Sequence, residues 1–161
     1  RVLAFTDPFA SEVVLNAGWQ LSTSLISIGQ GGWLGVGLGN SFQKSFFLPE
    51  AHTDFIFAIL VEELGIIGGM ILISLFIILF IGLISISFDS FKKGRPFQGY
   101  IVFGTFLLIA IQMIFNIAVN IGLLPTKGLT LPFISYGGTS IIIMLSLIGI
   151  VLRINNENKL F

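Results

Sequence analysis

The sequence contains no cysteine, which excludes disulfides, thiolate nucleophiles and cysteine metal sites together. Its single histidine, His52, rules out a histidine-rich metal site. Charge is scarce. Asp, Glu, Lys and Arg make up 10% of the 161 residues, against roughly 25% in soluble globular domains. The eight acidic and eight basic residues cancel, so there is no basic footprint for nucleic acid and that class of partner is set aside.

Apolar residues fill the space that charge leaves. They form 55% of the chain, the mean hydropathy is +1.01, and such a composition marks an integral membrane protein. The expected class is all-α. The chain opens on Arg1 with no basic n-region and no short apolar h-region, so no signal peptide is read. It is expected to be a piece of a longer protein whose targeting information lies upstream.

Three segments are long enough to cross a bilayer, which takes roughly 20 mostly apolar residues. The first covers 55–88 and holds only Glu62 and Glu63 as charges, both ahead of "LGIIGGMILISLFIILFIGLISIS". Residues 54–63 exceed the required length and read as a helical extension at the water interface. The second span, 99–121, carries Gln112, Asn116 and Asn120 at i, i+4 and i+8, hence on one face. That row is most simply interhelical glue; its alternative is the lining of a headgroup cavity. The third span, 133–152, contains the small residues Gly137, Gly138, Thr139, Ser140 and Ser146, which permit close helix approach.

Lysine and arginine in short loops set the orientation. The connection 89–98 carries Lys92, Lys93 and Arg95, whereas 122–132 carries only Lys127. The first is therefore expected in the cytoplasm together with the tail 153–161, and residues 1–54 and 122–132 are expected outside. Within the outer segment, "WQLSTSLISIG" at 19–29 reads as a short interfacial helix with Trp19 and Trp33 at headgroup level. The run "GQGGWLGVGLGNS" that follows has glycines at 29, 31, 32, 35, 37 and 39. It follows no strand and opens no βαβ unit, so a dinucleotide fingerprint is not supported.

The residues able to carry chemistry cluster at the outer ends of the spans. Asp54 stands where "PEAHTDFIFAIL" turns apolar. There Thr53 or Asp54 suits helix capping, the commoner role and the first reading of the residues alone, and the alternative for Asp54 is general base catalysis. His52 is a second acid or base, a metal ligand, or an exposed loop histidine. Glu50 reads as a solvated loop residue. Of Glu62 and Glu63, one is expected to face a polar cavity and the other the interface, unless both are simply solvated there. Lys127, between the helix breakers Pro125, Gly128 and Pro132, either binds phosphate as a point charge or snorkels to the headgroups.

Two segments, "GLGNSFQKSFFLPEAHTDFIFAILVEELG" (37–65) and "GLLPTKGLTLPFISYGGTS" (122–140), resemble the two signatures of the SEDS family of membrane glycosyltransferases. They occur in the family's order, and the resemblance extends from about Gly18 to Arg153. It is closer to the division branch than to the elongation branch, whose second signature usually lacks the lysine. The resemblance implies a bundle of roughly ten transmembrane helices in the bacterial inner membrane at the division septum. It implies polymerisation of lipid II into peptidoglycan by inverting transfer from an undecaprenyl-pyrophosphate-linked donor. The implied partners are a cognate class B penicillin-binding protein, which supplies transpeptidase activity, and other division proteins.

Asp54 matches the family's essential outer-loop aspartate, the base for the acceptor's GlcNAc 4-hydroxyl. The expected substrate-binding residues are Lys127, His52, Glu62, Thr126 and Ser135. Family activity is metal-assisted, so a divalent cation, Mg²⁺ or Mn²⁺, is expected, with Asp54 as its ligand. The fragment is not expected to be active alone. Three alternatives remain: a lipid II flippase, an elongation-type polymerase, and a division scaffold with no chemistry of its own.

Overall fold

The computed structural model describes residues 19–41, 54–125 and 128–160, apart from the side chains of residues 19 and 20. Four helices follow in order: α1 (Trp19–Gly31), α2 (Ile56–Lys92), α3 (Pro96–Asn120) and α4 (Gly138–Leu160). No strand occurs among the described residues. The last three helices are long and apolar enough to cross a membrane, and the chain is a multi-pass membrane protein. Their outward faces carry side chains as apolar as their inward ones, among them Leu75, Ile78 and Ile81 on α2 and Ile111 and Ile114 on α3. A helix apolar all round requires an apolar surrounding.

The helix ends are legible in the glycines. At the end of α2, Gly94 takes φ 70, its amide bonds to Phe91 O and the Arg95 amide to Ser90 O. This pair of bonds is a Schellman stop, which needs a residue tolerant of positive φ. Gly122 ends α3 in the same way, with φ 75 and the amides of Gly122 and Leu123 on the carbonyls of Val119 and Ala118. Pro96 starts α3, where its missing N–H costs nothing. Only residues 93–95 therefore separate α2 from α3, and most of the segment expected as a loop at 89–98 is helix.

The core between α2, α3 and α4 is built from Phe76, Leu83, Val102, Ile109, Met144 and Val151. Phe80 packs edge-on against Phe106, with ring centroids 5.4 Å apart. At the end of the bundle holding the α2–α3 turn, Lys93 Nζ donates to Asn158 O and Asn158 Nδ2 to Ser90 Oγ at 2.8 Å. Gln98 Nε2 donates to Glu157 Oε2 at 2.9 Å.

Helix α1 differs from a helix lying loosely on the interface. Thr23, Ser24 and Ser27 are buried, and a Cβ on Gly31 would meet Val61 O at 2.2 Å. Thr23, Ser27 and Gly31 recur at i, i+4 and i+8, and small side chains let two backbones close up. Trp33, beyond the end of α1, is exposed.

Helix α2 is broken at Gly65, whose φ and ψ are 73 and −177, a combination essentially confined to glycine. In an unbroken helix the amides of residues 66 and 67 would bond to the carbonyls of 62 and 63. Here the Ile66 amide donates to Gly32 O at 2.9 Å and the Ile67 amide to Trp33 O at 3.4 Å. The two released carbonyls accept from the loop after α1: Val36 N donates to Glu62 O at 2.9 Å and Gly37 N to Glu63 O at 3.0 Å. The glycine-rich run thus serves as a backbone splint across the break. The two backbones are pressed so close that a Cβ on Gly65 would lie 2.2 Å from Trp33 O and 2.5 Å from Gly35 N.

Helix α4 begins at Gly138, whereas the apolar run begins at 133. Residues 131–135 form a turn instead. The Ser135 amide donates to Leu131 O at 3.0 Å, and Ser135 Oγ accepts from the Leu131 amide at 2.7 Å. Phe133 within it holds φ 66, uncommon for a bulky residue.

Candidate functional site

At the end of the bundle opposite Lys93, the head of α2, the end of α3 and the 128–135 segment converge around Asp54. The first helical residue of α2 is Ile56, Phe55 occupies the N-cap position, and no side chain of that residue caps the helix. The capping role falls to another helix. Asn120 Oδ1 on α3 accepts from the Ala58 amide at 3.1 Å, satisfying one of the donors that a helix start leaves over. Asn120 Nδ2 donates at 3.0 Å to Asp54 O. Asn116 Nδ2 donates to the same carbonyl at 3.0 Å and to Leu129 O at 2.5 Å. Ser24 Oγ on α1 donates to Asn120 O at 2.9 Å.

The polar row on α3 is therefore glue for its two outer members, which are buried almost completely. Gln112, one turn deeper, makes no such bond through its Oε1, which is buried without a hydrogen-bond partner.

Asp54 itself is half-buried. Its carboxylate faces the second signature segment: a Cβ on Gly128 would lie 3.4 Å from Asp54 Oδ2. Gly128 holds φ 65, so glycine serves there for its backbone. Two segments more than 70 positions apart in the chain thus meet at this carboxylate.

Ser135 belongs to the same segment, with its hydroxyl engaged in the 131–135 turn. Beside it a groove of about 490 Å³ is lined by Ile56, Ile134, Ser135, Tyr136 and Ile141. The groove is mostly apolar and starts two residues from Asp54.

Glu62 is not at this mouth. It lies eight residues along α2 from Asp54, about 12 Å at the helical rise, fully buried, and accepts from Ser41 Oγ at 2.6 Å. This carboxylate belongs with the splint through its bond to Ser41. His52, Thr126 and Lys127 lie outside the described residues, as do Glu50 and Thr53.

Among the described residues no three acidic, histidine or cysteine side chains gather as a metal cage. A hard divalent cation held jointly with substrate phosphates needs only one or two protein carboxylates, and Asp54 fits that requirement.

Sequence reasoning did not foresee Ser41 and Gly65. The only signal for Ser41 was its place inside the first signature. Gly65 sat in a helix-like apolar run, where one glycine suggests nothing more than a small propensity cost.

A family profile described as a cell cycle protein family, FtsW/RodA/SpoVE, matches residues 1–160. Among curated relatives, a probable peptidoglycan glycosyltransferase FtsW of Marinomonas mediterranea is 52% identical over 160 residues, covering 99% of this chain and 39% of the relative. The protein described in the same words from Legionella pneumophila is 48% identical, covering 99% and 40%. A solved structure described as structural coordination of polymerization and crosslinking by a peptidoglycan synthase complex aligns with a TM-score of 0.73 at 28% identity. That alignment covers 98% of this chain and 41% of the other. The chain thus spans about two fifths of the length of the relatives it matches. With two paired signature segments meeting at one carboxylate, and a family match over almost every residue, this chain belongs to the FtsW/RodA/SpoVE family.

Proposed function

We propose that this chain carries the catalytic carboxylate of a peptidoglycan glycosyltransferase that polymerises lipid II during septal wall synthesis. The observation that carries the reading is the position of the Asp54 carboxylate against Gly128 of the second signature segment. A general base must reach the proton that it removes. Asp54 takes the proton of the acceptor's GlcNAc 4-hydroxyl as that oxygen bonds to the anomeric carbon of the donor. The bond from that carbon to the pyrophosphate oxygen breaks, the electron pair leaves with undecaprenyl pyrophosphate, and the configuration inverts.

The apolar groove beside Ser135 suits a lipid-linked substrate. Lys127, next to Gly128 in sequence, is the cation expected to offset the leaving group's charge, with His52 and Thr126 as further substrate contacts. Asp54 would hold a divalent cation, Mg²⁺ or Mn²⁺, whose chemistry is to neutralise the departing pyrophosphate. The reading sets Asp54 and the 122–135 segment on the periplasmic face of the inner membrane, where the basic residues near Lys93 mark the cytoplasmic side. The solved relative belongs to a synthase complex, which supports a crosslinking partner of the class B penicillin-binding type for this protein too.

Besides the polar row on α3 and the broken outer loop, the broken helix α2 would suit a transporter, because interrupted helices in transporters present free backbone groups to cargo. Here the amides of Ile66 and Ile67 and the carbonyls of Glu62 and Glu63 are already bonded to residues 32–37, which leaves these four groups unable to serve cargo. The test is lipid II polymerisation by the full-length protein with its partner. Asp54→Asn is expected to lower the rate by about 10²- to 10⁴-fold with expression and partner binding intact. A wild-type rate in the folded variant would remove Asp54 from the base role, and loss of labelled lipid II translocation without a polymerisation defect would favour the flippase.

A further inference from the structure

We infer that Asn116 is a positioning residue for catalysis, holding the Asp54 carboxylate in register with the segment after Lys127. The inference rests on the function proposed above. Three observations carry it. First, both N–H groups of one amide nitrogen are spent on backbone carbonyls of the two signature segments, Asp54 O at 3.0 Å and Leu129 O at 2.5 Å. Second, one of these carbonyls belongs to the residue whose side chain faces the mouth, and the other adjoins Gly128, against which that side chain lies. Third, the side chain is 1% exposed, so water cannot take over its donors, and its own Oδ1 is fixed by Asn120 Nδ2 at 3.3 Å.

An amide that only glued helices together would be satisfied by any acceptor on a neighbouring helix. Asn116 instead joins three pieces of chain at the point where two of them must keep a set separation. Anchoring the Asp54 carbonyl limits rotation of its peptide unit, and with it the direction of the Cα–Cβ bond that aims the carboxylate. Anchoring Leu129 to the same nitrogen ties the neighbouring Gly128 to that direction. Asn120 shares the hold on Asp54 O but, among the described residues, makes no bond to the 128–131 segment, whereas Asn116 bonds to both. Displacing a catalytic group by about 1 Å can cost on the order of 10²-fold in rate.

The test uses the full-length protein with its partner transpeptidase and purified lipid II. Asn116→Ser, which keeps one donor, and Asn116→Leu, which keeps the bulk and loses both, are compared for kcat, KM and thermal midpoint. The expected result is a kcat lower by about 10-fold for the serine variant and about 100-fold for the leucine variant, with KM within about twofold and the serine midpoint close to wild type. A wild-type kcat in either folded variant overturns the assignment. So does a loss that follows the fall in midpoint and vanishes at a temperature where the variant is fully folded, because that is a structural role alone. If the leucine variant does not accumulate, the serine variant decides by the same criteria. Asp54→Asn is measured alongside: a wild-type rate there defeats the proposed function itself, whereas an inactive Asp54→Asn beside a fully active Asn116→Ser defeats only the positioning role.

Discussion

Ser41 Oγ donates a 2.6 Å hydrogen bond to Glu62 Oε2, and both side chains are buried. The bond ties the chain leaving the glycine-rich loop to the broken helix beside its break. A hydrogen bond to a carboxylate is worth about 1.5–3 kcal/mol. Ser41→Ala is expected to lower stability by about that amount, read as a reduced midpoint of heat-induced unfolding in detergent. An unchanged midpoint would show that the bond adds nothing to the fold.

Gly65→Ala is expected to be more damaging. A residue with a Cβ at this φ and ψ carries about 1–3 kcal/mol of backbone strain, and the added carbon would also lie 2.2 Å from Trp33 O, a backbone atom that cannot rotate away. Gly99→Ala is the contrast, since its Cβ would meet the Phe91 ring at 2.9 Å, the far end of a side chain that can shift against Tyr100 at lower cost than a backbone atom. The yield of folded protein should drop sharply for the first and little for the second, and equal yields would contradict the backbone exchange.

Asn120→Ala removes the acceptor for the Ala58 amide and one of the two donors to Asp54 O. Loss of a cap together with an orphaned buried donor predicts about 1–3 kcal/mol of destabilisation. Hydrogen exchange provides a local check, because the Ala58 amide should lose protection while amides in the middle of α3 keep theirs.

Chelation tests the proposed cation. Excess EDTA is expected to depress lipid II polymerisation by the full-length protein, and added Mg²⁺ or Mn²⁺ to restore it. Undiminished polymerisation in chelator would leave Asp54 acting without a metal.

The three spans were legible because length and hydropathy alone determine what a bilayer accepts, and the Asn116 and Asn120 face because three polar residues recurred at helical spacing. The start of α4 was less so. The apolar run through Phe133 and Ile134 reads as helix, yet Ser135 closes a turn there through a hydroxyl contact that periodicity does not encode. Glu62 illustrates a different limit. For Glu62 and Glu63 the pattern leaves one carboxylate inside and one at the interface without saying which, and the return of the preceding loop explains how that of Glu62 can lie inside. The glycines at 32–39 and Gly65 were each visible in the sequence, but their meeting is a contact between two segments about 30 positions apart, and no local pattern announces it. For Asp54 the residue pattern left capping and base catalysis open, and the resemblance favoured the base. In the structure Asn120 takes one of the amides at the head of α2, a contribution from another helix that no local pattern encodes.

The exchange at Gly65 also bears on where residues 32–37 can reside. Trp33 and Leu34 are 70% and 80% exposed, side chains suited to hydrocarbon, but a peptide group drawn out of water without a partner costs several kcal/mol. Gly32 O, Trp33 O, Val36 N and Gly37 N each already have a partner on α2. The docked loop can therefore sink below the headgroups at low dehydration cost, whereas the undocked loop must stay in water. Docking on α2 thus lowers the dehydration cost of these four groups, so docking and immersion of the loop favour one another.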